Sequence, residues 1–418
     1  MNKIVLSGGR RLSGEVEVGG SKNAALPVLF GGIVTRGVCV FSGLPRVSDV
    51  LQALEILKHL GARIRFHASG EVRVDYRHMQ YAETPAHLTA PIRASTYLLG
   101  AMLARFGRAS LAASGGCDFG ARPIDQHLLG FERLGATVAS APDGVTVEAS
   151  NGLCGAEITL AMPSVGATAN LMLAATAATG ETVIRNAAAE PHVAALADFL
   201  TLCGAHITGV GTHTVHVFGG ARLDGATYTV IPDMIEAGTY LCLGMACGGP
   251  VAVKNVCPDH LGALLDAFRE MGGRVVCDRD RISVSADRGY ACTHVETGPF
   301  PAFPTDLHPQ MAALFALEHA TGEGSVRETV FSDRFRYVQE LAHMGAQITL
   351  SGDRACIVPH RLRGAKMRSP DLRGGAALMI AALGTRGRSE IANAATVGRG
   401  YEHLEQKLRA LGAHVSVF

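Results

Sequence analysis

The chain has 418 residues, of which 48% are hydrophobic and 18% charged, and its formal net charge is +1. This length favours two domains over one core, and no apolar run approaches the roughly 18 residues of a membrane span. The near-zero net charge argues against a nucleic-acid partner. The ten cysteines show no CxxC or other metal-type spacing, and the N-terminus has no signal-like apolar run, which predicts a protein of the reducing cytoplasm without a bound metal.

The predicted elements form one pattern that occurs six times. The chain opens with a short strand, KIVLS, that belongs to no complete unit. Each unit then has an alanine-rich apolar helix, a short strand, an amphipathic helix and a hairpin, as in ATVASAPDGVTVEA with its Pro-Asp-Gly turn. We expect the last unit, which ends at GAHVSVF one strand short, to pair with KIVLS.

Two glycines in each unit keep this register. One lies in an LGA-like tripeptide and recurs every 67 to 74 residues, and the other precedes it by 23 to 28 residues. The LGA glycines are Gly61, Gly135, Gly204, Gly272, Gly345 and Gly412, and the preceding ones are Gly37, Gly107, Gly180, Gly249, Gly322 and Gly387. We expect each apolar helix to end at the preceding glycine as its C-cap.

Repeats of this length share a core with their neighbours, since no unit buries its apolar face alone. The pattern therefore predicts two α/β domains of three βαβαββ units each, around a pseudo-threefold axis, with the apolar helices inside and the sheets outside. The predicted domains are residues 21–231, which carry the cysteine loop described below, and residues 1–20 plus 232–418, closed by the N-terminal strand.

Polar residues recur where the apolar helices begin. They are Lys22, Asn23, Arg93, Ser164, Glu236, Asp306 and Arg373. Ordinary N-capping explains Ser, Asn and Asp, and a solvent-facing side chain is the plain interpretation of Lys or Arg. A cation at a helix start opposes the macrodipole unless an anion joins it, which favours an anion-binding site.

The stretch AASGGCDFGARPIDQH departs from the repeat by adding a glycine-rich loop with Cys117 at its tip. Most lone cysteines are small buried hydrophobes. Cys117, in a polar loop with Arg122 close by, is the one we single out as reactive.

The motifs SKNAALP, GGCDFGARP, FPTD, FSDRF, DLRGG and RGYEHLEQKLRALGA together resemble the enolpyruvyl transferase family over essentially the whole chain. The family's fold, two inside-out α/β domains of three βαβαββ units, agrees with the repeat pattern. The combination of SKNAALP with the cysteine loop is similar to the branch that acts in peptidoglycan synthesis. The resemblance implies transfer of the enolpyruvyl group of phosphoenolpyruvate to the 3-hydroxyl of UDP-N-acetylglucosamine with release of phosphate, and it implies no cofactor.

By resemblance, Cys117 donates a proton to the methylene carbon and Asp306 contacts the attacking hydroxyl as its base. The implied catalytic residues are Cys117, Asp306, Lys22 and Arg399. The implied phosphoenolpyruvate ligands are Lys22, Asn23, Arg122, Arg334, Arg373 and Arg399, with Arg334 and Arg373 at the carboxylate. The implied UDP-N-acetylglucosamine ligands are Asn23, Arg93, Arg122, Pro123, Ile124, Asp125, Gln126, Ser164, Val165, Gly166, Asp306 and Val330.

Several positions depart from the pattern of many family members. Met234 stands in place of an arginine, Gly398 in place of an aspartate, and Met162 and Pro163 in place of a segment that often holds a lysine. These departures keep open a paralogous transferase with another nucleotide acceptor, such as uridine monophosphate. A non-catalytic protein that keeps only the repeats is the third hypothesis, and retention of Cys117 and Asp306 argues against it.

Overall fold

The computed structural model describes residues 2–112, 123–142 and 144–418. The chain folds as two compact units, a first unit of Gly20–Ile231 and a second unit of Met1–Gly19 with Pro232–Phe418. The chain passes from one unit to the other after residues 19 and 231, and the sequence places these crossings near residues 20 and 230.

Helices occur throughout both units. Within the described residues the α-helices are α1 (Lys22–Gly31), α2 (Ser48–His59), α3 (Ala86–Thr89), α4 (Tyr97–Phe106), α5 (Asp125–Arg133), α6 (Val165–Ala175), α7 (Pro191–Leu202), α8 (Met234–Cys247), α9 (Gly262–Glu270), α10 (His308–Phe315), α11 (Tyr337–His343), α12 (Leu372–Gly384) and α13 (Leu404–Ala410).

The strands alternate with these helices. Within the described residues they are β1 (Lys3–Gly8), β2 (Gly14–Glu17), β3 (Val38–Ser42), β4 (Arg63–Phe66), β5 (Val72–Asp75), β6 (Arg108–Ala112), β7 (Thr137–Ala141), β8 (Gly144–Glu148), β9 (Glu157–Thr159), β10 (Glu181–Arg185), β11 (His206–Thr208), β12 (Thr214–Phe218), β13 (Thr227–Thr229), β14 (Val251–Lys254), β15 (Arg274–Cys277), β16 (Arg281–Ser285), β17 (Tyr290–Ala291), β18 (His294–Glu296), β19 (Ala320–Thr321), β20 (Gly324–Arg327), β21 (Gln347–Ser351), β22 (Arg354–Val358), β23 (Lys366–Arg368), β24 (Gly387–Ala392) and β25 (His414–Val417).

Three alanine-rich helices form the interior of each unit. In the first unit α4 packs against both α1 and α6, and in the second unit α8, α10 and α12 all contact one another. Every residue from 235 to 246 in α8 and from 372 to 383 in α12 is buried. Small residues allow these helices to pack closely against one another. For example, a Cβ added to Gly100 in α4 would lie 2.3 Å from the carbonyl oxygen of Asn170 in α6. The predicted buried helices are therefore confirmed.

The sheets enclose these helices. The first unit has the strand orders β13-β3-β5-β4, β6-β8-β7 and β11-β12-β10-β9, and the second unit has β23-β24-β1-β25, β15-β16-β14-β2, β18-β20-β22-β21 and the short pair β17-β19. Burial alternates along strands such as β10 and β12, because one face packs on the helices and the other faces solvent. Buried helices enclosed by sheets within each unit agree with the α/β architecture that the repeat pattern predicts.

The N-terminal strand closes the last repeat, as predicted. Strand β1 pairs antiparallel with β25, with Ile4 opposite Val417, and also with β24, with Lys3 opposite Ala392. Next along the chain, β2 pairs in parallel with β14, so the N-terminal segment supplies strands to two sheets of the second unit.

All six LGA glycines have the same local structure. Each has φ between +87° and +107° and directly follows the C-cap of an amphipathic helix. Its N–H bonds to the carbonyl three residues earlier, and the next N–H bonds to the carbonyl five residues earlier, as in Gly61 to Lys58 and Ala62 to Leu57, both at 2.9 Å. This is the Schellman motif, whose left-handed residue is normally glycine because a Cβ is disfavoured there.

The prediction that the apolar helices end at the other set of glycines is wrong for most of them. Only Gly107 is the left-handed C-cap of its helix, while α8 is capped by Gly248 and α6 ends five residues before Gly180. Close packing explains two of these glycines: a Cβ on Gly37 would lie 2.0 Å from the amide nitrogen of Gly225, and one on Gly249 would lie 1.8 Å from the carbonyl oxygen of Leu12.

Candidate active site

Asp306 in the second unit accepts hydrogen bonds from two buried arginines. It lies on a 3₁₀ turn, Thr305–Leu307, directly before α10. Nη2 of Arg334 donates to Oδ1 at 2.5 Å, and Arg373 donates to Oδ2 from Nε at 3.3 Å and Nη2 at 3.1 Å. The arginine side chains are each 2% exposed, whereas that of Asp306 is 26% exposed. Three of the predicted residues therefore meet, with the carboxylate at the accessible side.

Arg373 is held from several directions. It lies in the first turn of α12, where the N-cap Asp371 accepts from its backbone N–H at 2.9 Å. Nη1 donates to the hydroxyl of Tyr401 at 3.2 Å, and the guanidinium lies over that ring. Burial lowers the pKa of Arg373, but the charge of Asp306 and the contact with Tyr401 outweigh it and raise the pKa. The macrodipole disfavours a positive charge at the start of a helix, and the nearby carboxylates of Asp306 and Asp371 offset this effect on Arg373.

Arg399 and Val330 lie on segments that adjoin this cluster. Arg399 ends a 3₁₀ segment, Ala394–Arg399, that packs against α12, and its side chain is half-buried. Val330 follows β20, and its N–H donates to the buried Glu328 at 2.8 Å.

In the first unit Lys22 is paired with a carboxylate. Lys22 opens α1 behind the N-cap Ser21, and its Nζ lies 3.2 Å from Oδ2 of Asp49 in the first turn of α2. The two side chains are only 13% and 7% exposed. Asn23, the next residue, is half-buried. An ion pair with so little exposure fixes the direction of the lysine side chain more firmly than a surface pair does.

Three of the predicted nucleotide-sugar residues of the first unit lie near a buried histidine. His127 in α5 is 5% exposed, and burial together with the charge of Arg93 lowers its pKa to about 4, with Asp125 acting in the opposite direction. Its Nδ1 lies 2.9 Å from Nδ2 of Asn170, and a Cβ added to Gly166 would lie 3.0 Å from its ring. Arg93, Asp125 and Gly166 therefore surround one neutral imidazole.

The start of α6 lies in the same region. Ser164 is its N-cap and accepts from the N–H of Ala167 at 3.3 Å, so the ordinary capping interpretation of this serine holds. Val165 and Gly166 form the first turn, where backbone N–H groups favour an anion. Gln126 accepts from the N–H of Met162 at 3.3 Å, which brings one position that departs from the family pattern next to this cluster.

The remaining predicted residues lie at the start of α5 or outside the described part of the chain. Pro123 is exposed, and Ile124 is the residue before the first turn of α5. Cys117 and Arg122 fall in residues 113–122, outside the described residues. Within the described ranges no group of three His, Cys, Asp or Glu side chains is arranged to hold a metal ion.

Sequence reasoning did not single out Asp49, His127, Asn170 and Glu328. Their partners are distant in sequence: Lys22 and Asp49 are 27 residues apart, and His127 and Asn170 are 43 residues apart. No local spacing signals such pairs. Buried polar residues inside predicted helices are the only hint, since such groups need partners.

Comparison with known proteins agrees with these motifs. The family model for EPSP synthase (3-phosphoshikimate 1-carboxyvinyltransferase) matches residues 6–408. The chain belongs to the enolpyruvyl transferase family. It is 44% identical to UDP-N-acetylglucosamine 1-carboxyvinyltransferase 2 of Carboxydothermus hydrogenoformans and 42% identical to the protein of that name in Caldanaerobacter subterraneus subsp. tengcongensis, over 99% of each chain in both cases.

A solved member of the family has nearly the same fold. The enolpyruvyl transferase NikO from Streptomyces tendae superposes with a TM-score of 0.89 at 26% sequence identity, covering 99% of this chain and 98% of that one. Across the described residues, every helix falls short of the length and apolarity that a membrane crossing requires.

Proposed function

We propose that the protein transfers the enolpyruvyl group of phosphoenolpyruvate to the 3-hydroxyl of UDP-N-acetylglucosamine and releases phosphate, the first committed step of peptidoglycan synthesis. The observation that carries the proposal is the name shared by the two relatives above, which match the full chain at 42% and 44% identity. The paired arginines on Asp306 support it, because two buried guanidinium groups suit a substrate with a carboxylate.

The proposed chemistry has two steps. In the addition, the sugar hydroxyl gives its proton to Asp306 as its oxygen bonds to C2 of phosphoenolpyruvate, and the thiol of Cys117 protonates C3. In the elimination, the thiolate of Cys117 takes a proton back from C3, the bond between C2 and the phosphate oxygen breaks, and the proton on Asp306 leaves with the phosphate or to solvent, which restores the enol ether and both residues. Cations steady the charge that develops in both steps.

We assign the substrate groups to residues as follows. Arg334 and Arg373 bind the carboxylate, and Lys22, Arg122 and Arg399 bind the phosphate, with Asn23 beside them. The residues that bind the nucleotide sugar are Asn23, Arg93, Arg122, Pro123, Ile124, Asp125, Gln126, Ser164, Val165, Gly166, Asp306 and Val330. The gathering of Arg93, Asp125 and Gly166 around His127 supports the second set.

We place the reaction in the cytoplasm. Neither a cofactor nor a nucleic acid is needed for it.

The decisive experiment measures phosphate released from phosphoenolpyruvate with UDP-N-acetylglucosamine as the acceptor and, separately, with uridine monophosphate. We expect fast release with the first acceptor, negligible release with the second, and none above background in Cys117→Ala. Asp306→Asn should lose turnover, while Asp333→Asn should retain it, because Asp333 is exposed and pairs with the exposed Arg336. Fast release with uridine monophosphate alone would contradict the proposed acceptor.

A further inference from the structure

Glu328 is a buried carboxylate with an unusually complete set of donors. It follows β20 and its side chain is fully buried. Oε1 accepts from the N–H groups of Val330 at 2.8 Å and Phe331 at 2.9 Å. Oε2 accepts from the hydroxyl of Thr305 at 2.7 Å and lies 2.6 Å from Nδ1 of His308.

These donors keep Glu328 ionised. Burial by itself raises its pKa, but the hydrogen bond and charge interaction with His308, together with the hydrogen bonds from Thr305 and Phe331, outweigh burial and hold the pKa below its ordinary value. Burial also lowers the pKa of His308, and its Nδ1, 2.6 Å from Oε2, is the nitrogen that faces the ionised Glu328 and donates to it. The carboxylate is thus an anion that accepts from all four groups and donates to none.

The anion determines how Thr305 is used. A hydroxyl has one proton, and Thr305 gives it to Glu328. The oxygen of Thr305 is then free to accept, and Nη1 of Arg334 donates to it at 3.0 Å. Glu328 thereby controls one of the contacts that orient the Arg334 guanidinium, next to the 2.5 Å bond from Arg334 to Asp306.

Glu328 also controls a second contact of Arg334. The ring of Phe331 lies 5.5 Å from the guanidinium carbon of Arg334, and the backbone N–H of Phe331 is fixed by Glu328. The hydrogen bond through the Thr305 hydroxyl and the aromatic contact with Phe331 thus both orient Arg334, the arginine that we assign to the substrate carboxylate.

We propose that Glu328 is a positioning residue, which acts through Thr305 and Phe331 to hold Arg334 in the orientation that binds the carboxylate of phosphoenolpyruvate. The inference rests on the proposed function. Glu328 itself does not touch substrate, and its effect is on the KM for phosphoenolpyruvate.

Glu328→Gln tests this role with almost no change in shape. In either orientation, the new amide NH₂ faces groups that are already donors. If it faces Thr305, that hydroxyl must turn its proton toward Arg334, and if it faces residues 330 and 331, two backbone bonds are lost. Losing one hydrogen bond to a charged group corresponds to about a tenfold effect. We therefore expect the KM for phosphoenolpyruvate to rise about tenfold, and the KM for the nucleotide sugar, whose binding we assign in part to Val330, to rise by less.

Variants of Thr305 distinguish loss of the hydrogen bond from Arg334 to the Thr305 hydroxyl from a general loss of stability. Thr305→Val keeps Glu328 but removes the hydroxyl, so it should reproduce the rise in KM, whereas Thr305→Ser should keep the wild-type KM. The double variant Glu328→Gln/Thr305→Val should be no worse than Glu328→Gln alone, because the loss of Glu328 already disturbs the hydrogen bond through Thr305. His308→Leu removes the other donor to Oε2 without touching Arg334 and should lower the Tm without raising the KM.

The outcomes are distinguishable. An unchanged KM in Thr305→Val, or equal rises in Thr305→Val and His308→Leu, overturns the role of Glu328. If Glu328→Gln fails to fold, the Thr305 pair and His308→Leu carry the test. If the unaltered protein releases no phosphate, the proposed function fails, and calorimetric binding of phosphoenolpyruvate then decides the inference. Weaker binding by Thr305→Val than by Thr305→Ser supports it, and equal binding overturns it.

Discussion

The buried, neutral state of His127 predicts that acid destabilises the first unit. Its pKa in the folded protein is about 4, below the ordinary value of 6.5, because it is buried and because Arg93 lies nearby. A histidine whose folded pKa is lowered contributes its full stability above the unfolded pKa, and this stability is lost as pH falls from 6.5 toward 4. The perturbation is therefore a change from about pH 7 to about pH 5, which stays above the ordinary pKa values of carboxyl groups. Burial raises the pKa values of Asp198 and Glu236, and their effect is common to the wild-type protein and to the variant described below.

The magnitude follows from the two pKa values. At about pH 5 the unfolded chain holds a proton on this residue in nearly all molecules, whereas the folded protein holds it in roughly a tenth. Integration of this difference gives a loss of about 2 kcal/mol in the free energy of unfolding. His308 and His319 have lowered pKa values and add to the total, so the measurement needs a variant that isolates His127.

His127→Asn serves as that variant. The asparagine oxygen can stand where Nδ1 accepts from Asn170, while the titrating group is removed. Amide hydrogen exchange of α6 at the two pH values gives the local free energy of opening. The wild-type protein should lose about 2 kcal/mol more than the variant on acidification. Deuterium exchange at the imidazole C2 carbon, followed by mass spectrometry, gives the pKa of His127 directly.

Two results would refute this reasoning. Titration of His127 at or above 6.5 would show that the imidazole is not held neutral by its surroundings. An equal acid effect in the wild-type protein and in His127→Asn would show that another group causes the loss.

Three further predictions concern the catalytic residues and the repeats. Arg373→Lys should lower kcat/KM for phosphoenolpyruvate at least tenfold, on the order of the loss of one charge-assisted bond, because lysine lacks the planar fork of arginine. The control Arg368→Lys, at an exposed position, should not lower kcat/KM. Equal effects of the two substitutions in steady-state assays would count against the carboxylate assignment. An epoxide analogue of phosphoenolpyruvate such as fosfomycin should form one covalent adduct with the protein, at Cys117, and none with Cys117→Asp. Intact-mass measurement and peptide mapping that place the adduct elsewhere would contradict this prediction. Gly272→Ala should lower the free energy of unfolding by about 1 kcal/mol, because φ is +87° and nothing lies near the added Cβ. Gly249→Ala should lower it by more, because its Cβ would meet the carbonyl oxygen of Leu12 at 1.8 Å. Urea unfolding that ranks the two variants in the reverse order would refute the packing argument.

The sequence predicted the fold well where the signal was local. The LGA motif is one example, since its two hydrogen bonds close within five residues and its glycine needs a left-handed φ. The buried helices are another, because they are apolar on nearly every side. The ends of those helices were mispredicted, since glycines such as Gly249 are required by close packing against a distant segment of the chain, here Leu12 between β1 and β2, and not by the helix before them.

The candidate site was predicted only as a set of residues. Motifs identified Asp306, Arg334 and Arg373, but nothing in their spacing indicated that both arginines donate to the same carboxylate. The roles of His127 and Glu328 were not predicted at all, because each depends on burial and on hydrogen-bond partners from other elements.

The sequence by itself determined the repeat architecture, the family and the types of residue available for chemistry. Only the tertiary structure decided which charges meet, because Asp306 finds its partners 28 and 67 residues away, and Lys22 finds Asp49 on another helix. The physical reason is range: a helix cap is satisfied within a few residues, whereas a buried charge needs partners that only the packing of distant elements supplies.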